Sequence, residues 1–420
     1  MSRVRDRVEK LKWAAYSARD AWQDGGLREL ESKTRGWWAK RGSAGQWPPV
    51  GETATWWRGG VLMIAGFDPP QCWHYRVQQK VEACQAAGIP MRVVQPHHLD
   101  ELIAALQVAS LLIVYRQPMN IHLPNIIAEA HRLGIPVVYE ADDIVYRTDL
   151  VAANPNLATL PADLREAVIK GAADYEAALR ACDAVLASTA PLAADMERFV
   201  AGPAAVVDNG IDAIMSSMAR GIEVDRAAGR LRSPGVDDGQ VVIAYGSGSR
   251  AHDLDLAVAA APLAAVLAAH GHVRLRLIGP LALPSELAPF ADRIERMELL
   301  PEGEYLRELA QCDISIAPLA DVGFNHYKSQ VKYLEAGLVG LAFVASEVVY
   351  GTYVQDGRTG FIARDDEQWR GALERLVTDA ELRREVGEAA RADVQRWQVG
   401  TNGAEQIRAM LEVFGVQVSG

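Results

Sequence analysis

From Val61 onward the chain alternates short apolar runs with longer stretches of helical period, and it does so twice. That alternation constrains the fold more than any other feature. A helix between two strands returns the chain to the end where it started, so successive strands pair in parallel with right-handed crossovers. The first series of strands is Val61–Phe67, Met91–Val94, Leu111–Tyr115, Val137–Tyr139, Ala184–Ala187 and Ala205–Val207. Helical stretches fall between them: Arg76–Ala87 closed by Gly88, one near Asp100–Val108, His122–Leu133, Leu164–Arg180 and Leu192–Val200. Residues 213–239 break the pattern with an Ala/Arg-rich stretch, then Ser233-Pro234-Gly235 and Asp237-Asp238-Gly239, the composition of a linker. The second series is Val241–Tyr245, Val273–Ile278, a weak run at Arg296–Leu300, Asp313–Ala317 and Leu341–Ala345.

The pattern therefore predicts an α/β protein of two Rossmann-like parallel-sheet domains facing a central cleft. The expected divisions are a basic, Trp-rich helical segment over 1–57, a first domain over 58–212, a linker over 213–239, a second domain over 240–395 and a final helix over 396–420 that packs back toward the first domain. The chain has 420 residues, and a net charge of −11 excludes a general nucleic-acid binder, which needs a basic surface to displace counterions. The four cysteines, Cys72, Cys84, Cys182 and Cys312, are scattered without a CxxC pair, which fits reduced cytoplasmic thiols and no zinc ribbon or disulfide framework. No signal peptide is expected, and no apolar run reaches the ~18 residues of a membrane-spanning helix.

Charge is unevenly placed. Residues 1–51 carry +5 and the remainder −16. The same N-terminal segment holds Trp13, Trp22, Trp37, Trp38 and Trp47, with Trp56 and Trp57 just after. Basic helices with tryptophan lie on anionic membranes, and they also pack on partner subunits or on their own domain; all three readings stay open. The expected location is cytoplasmic, with peripheral contact at the inner face of the membrane as an option, and the oligomeric state is open.

In open parallel sheets, ligands sit beyond the carboxyl ends of the strands. Two segments of the second series have the chemistry of a diphosphate site. Pro318–Gly337, PLADVGFNHYKSQVKYLEAG, leaves a strand, and a helix is expected from Asn325 as N-cap. On it Lys328, Lys332 and Glu335 form a polar stripe beside the apolar stripe Val331, Leu334 and Leu338. Free N–H groups, a positive dipole end and two ammonium groups suit a diphosphate, and the carboxylate suits a ribose diol. The same stripe also fits a solvated helix face. The second segment is Gly246-Ser247-Gly248-Ser249-Arg250, directly after a strand, where glycines let the backbone approach an anion and Arg250 adds a clamp. With Ala251 it also matches the dinucleotide fingerprint G-x-G-x-x-A. That fingerprint needs an acid ending the next strand, and Leu277-Ile278-Gly279-Pro280 has none.

Three stretches give the chain a family resemblance. Val207-Asp208-Asn209-Gly210-Ile211-Asp212 resembles the segment that ends the first domain in GT-B glycosyltransferases of the retaining family 4 group. Ala244–Asp255, including His252 and Asp253, resembles the loop opening their donor domain. Phe324-Asn325 with Lys328-Ser329, Lys332 and Glu335-Ala336-Gly337 resembles the donor helix of a bacterial surface-glycan subset. The likeness spans about residues 61–390. It implies a retaining, metal-independent transfer of a sugar from a nucleoside diphosphate sugar to a glycan, lipid-linked or protein acceptor in polysaccharide biosynthesis, with no cofactor. On that resemblance Arg250, Lys328 and Lys332 hold the diphosphate and Glu335 the ribose, while the base lies against the backbone of Met297–Leu300. Gly246, Ser247, Gly248, Ser249, His252, Asp253, Leu300, Asn325, Tyr327 and Ser329 complete the donor site. Many family members carry a glutamate where this chain has Tyr327; Asn325 and Asp321 are the candidates to replace it.

The first domain is expected to hold the acceptor through loop residues His74, Tyr75 and Arg76, and through Glu140, Asp142 and Asp143. His97 and His98 fit a solvated loop. Repulsion between adjacent carboxylates suggests that one of Glu140, Asp142 and Asp143 has a raised pKa and serves as a base, although Asp142 and Asp143 also fit as caps or as partners of Arg147. Three other readings compete: an NAD(P)-dependent oxidoreductase using the Gly246–Ala251 loop, a non-catalytic assembly protein with a degenerate cleft, and a sugar-nucleotide epimerase.

Overall fold

The structure, a computed structural model, describes residues 59–417 apart from 67–69, 156, 158–161, 234–238 and 249–252. The expectations for the Trp-rich segment 1–57 lie outside the described residues.

Two six-stranded, all-parallel sheets form the frame. The first contains β1 (Gly60–Ala65), β2 (Met91–Val94), β3 (Ala109–Tyr115), β4 (Val137–Ala141), β5 (Ala184–Ala187) and β6 (Ala204–Val206), in the order β2-β1-β3-β4-β5-β6. The second contains β7 (Val241–Gly246), β8 (Val273–Ile278), β9 (Ile294–Met297), β10 (Ile314–Ala317), β11 (Ala342–Ser346) and β12 (Phe361–Ala363), in the order β12-β11-β10-β7-β8-β9. The apolar runs exist because both faces of these strands are covered. Leu111, Leu112, Ile113 and Val114 are fully buried in succession, each worth about 1.5–3 kcal/mol. Each order reverses once, between β1 and β3 and again between β7 and β10. These reversals open crevices at the carboxyl ends of the strands, where ligands of such sheets bind.

The stretch after β6 is not a loose linker. Asp212 caps a helix, Ala213–Ala227, by accepting from the Met215 amide at 2.8 Å. That helix packs Met215 and Ile222 into the second domain, and Arg226 donates to the carbonyls of Val339 and Ala310, both at 2.7 Å. The last helix, Ala404–Val413, places Ile407, Met410 and Leu411 in the core of the first domain.

The chain therefore passes between the domains twice, at 207–212 and at 395–399, and the two passes are bonded to each other. Ile211 donates to the Trp397 carbonyl at 2.8 Å, and Val399 donates to the Ile211 carbonyl at 3.0 Å. Gly210 permits this approach, since a Cβ there would lie 2.5 Å from the Trp397 carbonyl oxygen. The Gln79 amide grips Gly210 from the other side, donating to its carbonyl and accepting from its N–H, each at 2.8 Å.

Gly210→Ala is expected to lower stability by about 2 kcal/mol, because the added methyl forces the two passes apart. Gly221→Ala, in an exposed helical position where nothing lies within 4 Å, is expected to raise it by roughly 0.5–1 kcal/mol. Urea unfolding midpoints of the two variants check this. A Gly210→Ala midpoint matching the unsubstituted protein would refute the tight crossover.

Candidate active site

The segment after β10 differs from the helix expected there. Asn325–Tyr327 is a single 3₁₀ turn, Lys328 is extended, and the α-helix begins only at Val331 and runs to Leu338. Asn325 does not cap it. Its buried amide donates to Asp255 at 2.7 Å and to the Ala320 carbonyl at 3.0 Å, because the buried Asp255 carboxylate attracts that donor more strongly than a helix end attracts the amide oxygen. Asn325 is thus a structural post, which corrects its assignment to the sugar. Asp321 is exposed and pairs with His326 at 2.6 Å. Gln330 stands at the cap position, but its side chain donates to the Asn209 carbonyl at 3.1 Å.

Only Lys332 and Glu335 of the expected stripe share the helix. The Lys332 ammonium donates to the Gly246 carbonyl at the end of β7 and lies 5.1 Å from the centre of the Tyr245 ring. Its pKa is lowered: burial works against the charge, and the neighbouring Glu335 carboxylate opposes that effect only in part. Lys328 lies off the helix, 3.8 Å from Asp143 of the first domain. Gly246 makes room for Tyr305, whose ring a Cβ would meet at 2.7 Å. The buried Ser247 donates its N–H to the Ile278 carbonyl, and its own carbonyl presses on Gly279 so closely that a Cβ there would sit 1.9 Å away. Gly279 accordingly has φ +102°, which explains a glycine where a dinucleotide site needs an acid. A Cβ on Gly248 would come within 4.0 Å of the Gln71 amide of the first domain, so these two residues face each other across the domain boundary. Ser249, Arg250 and His252 lie outside the described residues; Asp253 opens the helix Asp253–Val258. Leu300 follows β9 on the same edge of the sheet.

Four of the acceptor candidates do not line a loop. The chain from Trp73 to Gln78 is π-helical and Trp73 to Val77 are all buried, because this turn is wedged against both domains. His74 meets the Asp212 carboxylate at 2.9 Å. Tyr75 donates to Glu335 of the second domain at 3.0 Å. Arg76 is 1% exposed and donates to Glu140 at 3.0 Å, to the Val207 carbonyl at 2.7 Å and to Asn209 at 2.8 Å. Glu140 is fully buried between Arg76 and Lys80, whose ammonium lies 2.9 Å away. Burial lowers the Lys80 pKa to about 8, with Glu140 resisting the change. Arg76 and Glu140 therefore form an internal ion cluster rather than acceptor contacts, and His74 belongs to the crossover.

Asp142 and Asp143 remain at the cleft edge. Asp142 is held below the usual carboxylate range: burial pushes upward, but the Arg116 guanidinium at 3.0 Å outweighs it, aided by the Cys72 thiol. The expected base with a raised pKa is thus not Asp142. Arg116, which sequence reasoning missed, follows β3 with φ 45°, an uncommon conformation for a side chain. Its Nη1 donates to Asp142 and to Cys72, both at 3.0 Å. Its sequence signal is slight, a single arginine ending an apolar run. His97 and His98 are exposed after β2, with ring centres 4.2 Å apart.

Residues 239–379 match the family model of glycosyl transferases group 1. No curated protein matches the chain by sequence. Among solved structures, HepE of Anabaena in complex with UDP-glucose is similar, with 16% identity and TM-score 0.53, over 84% of this chain and 99% of that one. Sucrose-phosphate synthase of Thermosynechococcus elongatus has 16% identity and TM-score 0.54, over 86% of this chain and 100% of that one. WaaG, a glycosyltransferase involved in lipopolysaccharide biosynthesis, has 15% identity and TM-score 0.53, over 84% of this chain and 100% of that one. The two sheets have the architecture of these GT-B enzymes. Among the described residues no helix is long and apolar enough to cross a membrane.

The electrostatics of Lys332 can be read without a ligand. NMR of the reductively methylated protein is expected to show the Lys332 amine titrating below the ordinary lysine range. Glu335→Gln removes the charge that opposes burial and is expected to move that midpoint further down. A midpoint that rises in Glu335→Gln would contradict the assignment.

Proposed function

We propose that this chain, whose second domain is a glycosyl transferases group 1 domain on a GT-B frame, transfers a sugar from a nucleoside diphosphate sugar to an acceptor hydroxyl with retention and without a metal. The observation that carries this reading is the pairing of Lys332 with the Gly246 carbonyl at the reversal point of the second sheet, one helical turn before Glu335. The HepE neighbour bound to UDP-glucose supports a nucleotide sugar as donor.

In this reaction the bond between the sugar carbon and the diphosphate oxygen breaks, and its electron pair passes to the diphosphate. The acceptor oxygen bonds to that carbon from the same face, and its proton goes to the departing diphosphate. Negative charge therefore grows on the diphosphate in the transition state. Lys332 and Lys328 supply fixed cations there, joined by Arg250 and by the N–H groups at the start of the Val331–Leu338 helix. Glu335 accepts from the ribose hydroxyls. The loops after β1, β3 and β4, with Arg116, Asp142 and Asp143, receive the acceptor. The Lys328–Asp143 contact connects the two halves, so a diphosphate and an acceptor-side carboxylate share this cation.

A thermal-shift panel tests the donor assignment. At least one UDP-, GDP- or dTDP-sugar is expected to stabilise the protein, EDTA is expected to leave that shift intact, and Glu335→Ala is expected to abolish most of it. Protection by nicotinamide dinucleotides alone would overturn the reading in favour of an oxidoreductase. The anomeric configuration of the product, read by proton NMR, tests retention separately. The lowered Lys332 pKa adds a pH signature. The protonated form binds the diphosphate, so affinity holds on the acid side and falls as pH rises through a midpoint below that of ordinary lysine.

A further inference from the structure

Tyr75 is a point at which the first domain reaches into the nucleotide half of the cleft. Its hydroxyl donates to Glu335 at 3.0 Å across 260 positions of sequence. Its ring is 7% exposed, and it shares a core with Ile211, Met215, Leu306 and Tyr333. A ring held there cannot swing aside without breaking the packing at the crossover, so the hydroxyl is a fixed donor. Tyr305 supplies a second hydroxyl to the same carboxylate, admitted by the absence of a side chain at Gly246. Burial, and then Glu335 itself, drive the Tyr305 pKa well above its ordinary value, so this hydroxyl stays protonated and donates.

A carboxylate offers about four acceptor positions. Two tyrosine hydroxyls on one carboxylate fix the plane of the group. Lys332, three residues earlier on the helix, turns its ammonium to the Gly246 carbonyl.

Resting on the donor reading above, we infer that Tyr75 is a positioning residue for ribose recognition: it orients the Glu335 carboxylate toward the ribose diol, so the first domain completes a nucleotide site otherwise built by the second. The consequence is a ligand class. Part of the preference for a nucleotide with both ribose hydroxyls is then set from the first domain, through Tyr75.

Isothermal titration of the full chain with UDP and GDP, and with their 2′,3′-dideoxy analogues, tests this. The unsubstituted protein is expected to favour whichever ribonucleotide it binds over its dideoxy analogue. Tyr75→Phe, which keeps the buried ring, is expected to weaken the ribonucleotide roughly 5-fold while leaving the dideoxy analogue unchanged. Tyr75→Leu, which disturbs packing and removes the donor, serves as the control for a merely structural role and is expected to weaken both nucleotides. Equal weakening of both by Tyr75→Phe, or no weakening, or tighter ribonucleotide binding, would overturn the inference. Failure of the unsubstituted protein to bind either ribonucleotide would instead overturn the donor reading.

Discussion

The arrangement of the two domains depends on one buried guanidinium. Arg76 lies between the Glu140 carboxylate at the end of β4 and the segment 207–209 where the chain leaves the first domain. A buried arginine is tolerated only when its donors are used, and this one serves a carboxylate, a backbone carbonyl and a side-chain amide. Glu140 in turn holds Lys80 on the same helix. The cluster welds the Trp73–Ala87 helical segment to β4 and to the crossover. It also fixes the turn from which Tyr75 faces the second domain and Gln79 grips Gly210. Removing the guanidinium would leave a buried carboxylate with one cation, a defect of the order of 3 kcal/mol.

From the crossover the same polar chain runs into the second domain. Asn209 accepts from Arg76, donates to Ser329 at 2.9 Å, and gives its carbonyl to Gln330. Thr189 donates to the Tyr327 carbonyl at 3.1 Å. The segment 327–330, expected to face a sugar nucleotide from a helix, is thus an interdomain strap. It ends where the helix with Lys332 and Glu335 begins. Ser329 and Tyr327 position that helix through their contacts with the first domain.

The frame of the protein was legible in its sequence because full burial on both faces of a parallel sheet writes continuous apolar runs, and these are hard to mistake when they recur with helices between them. That Lys332 and Glu335 share one helical face was legible for a related reason, their i, i+3 spacing. The rest of the site was hidden by partners distant in sequence. Arg76 and Glu140 look like surface residues until Asn209, Val207 and Lys80 are placed around them. Asn325 looks like a cap until Asp255, 70 residues earlier, claims its amide. Adjacent acidic residues suggested mutual repulsion, whereas Arg116 supplies the charge that governs Asp142. Local spacing reported which residues share a face, and it carried no information about which face met which domain.

The doubled passage between the domains has a mechanical consequence. Two connections far apart would let the domains slide or tilt in several directions. Here Ile211 and Gln398 are bridged side by side, so both connections lie on one line. Rotation about that line is the soft degree of freedom, while translation stretches two backbone hydrogen bonds at once. The mouth of the groove, with Gln71 opposite Gly248, travels far for a small turn, and Tyr75, near the axis, barely moves.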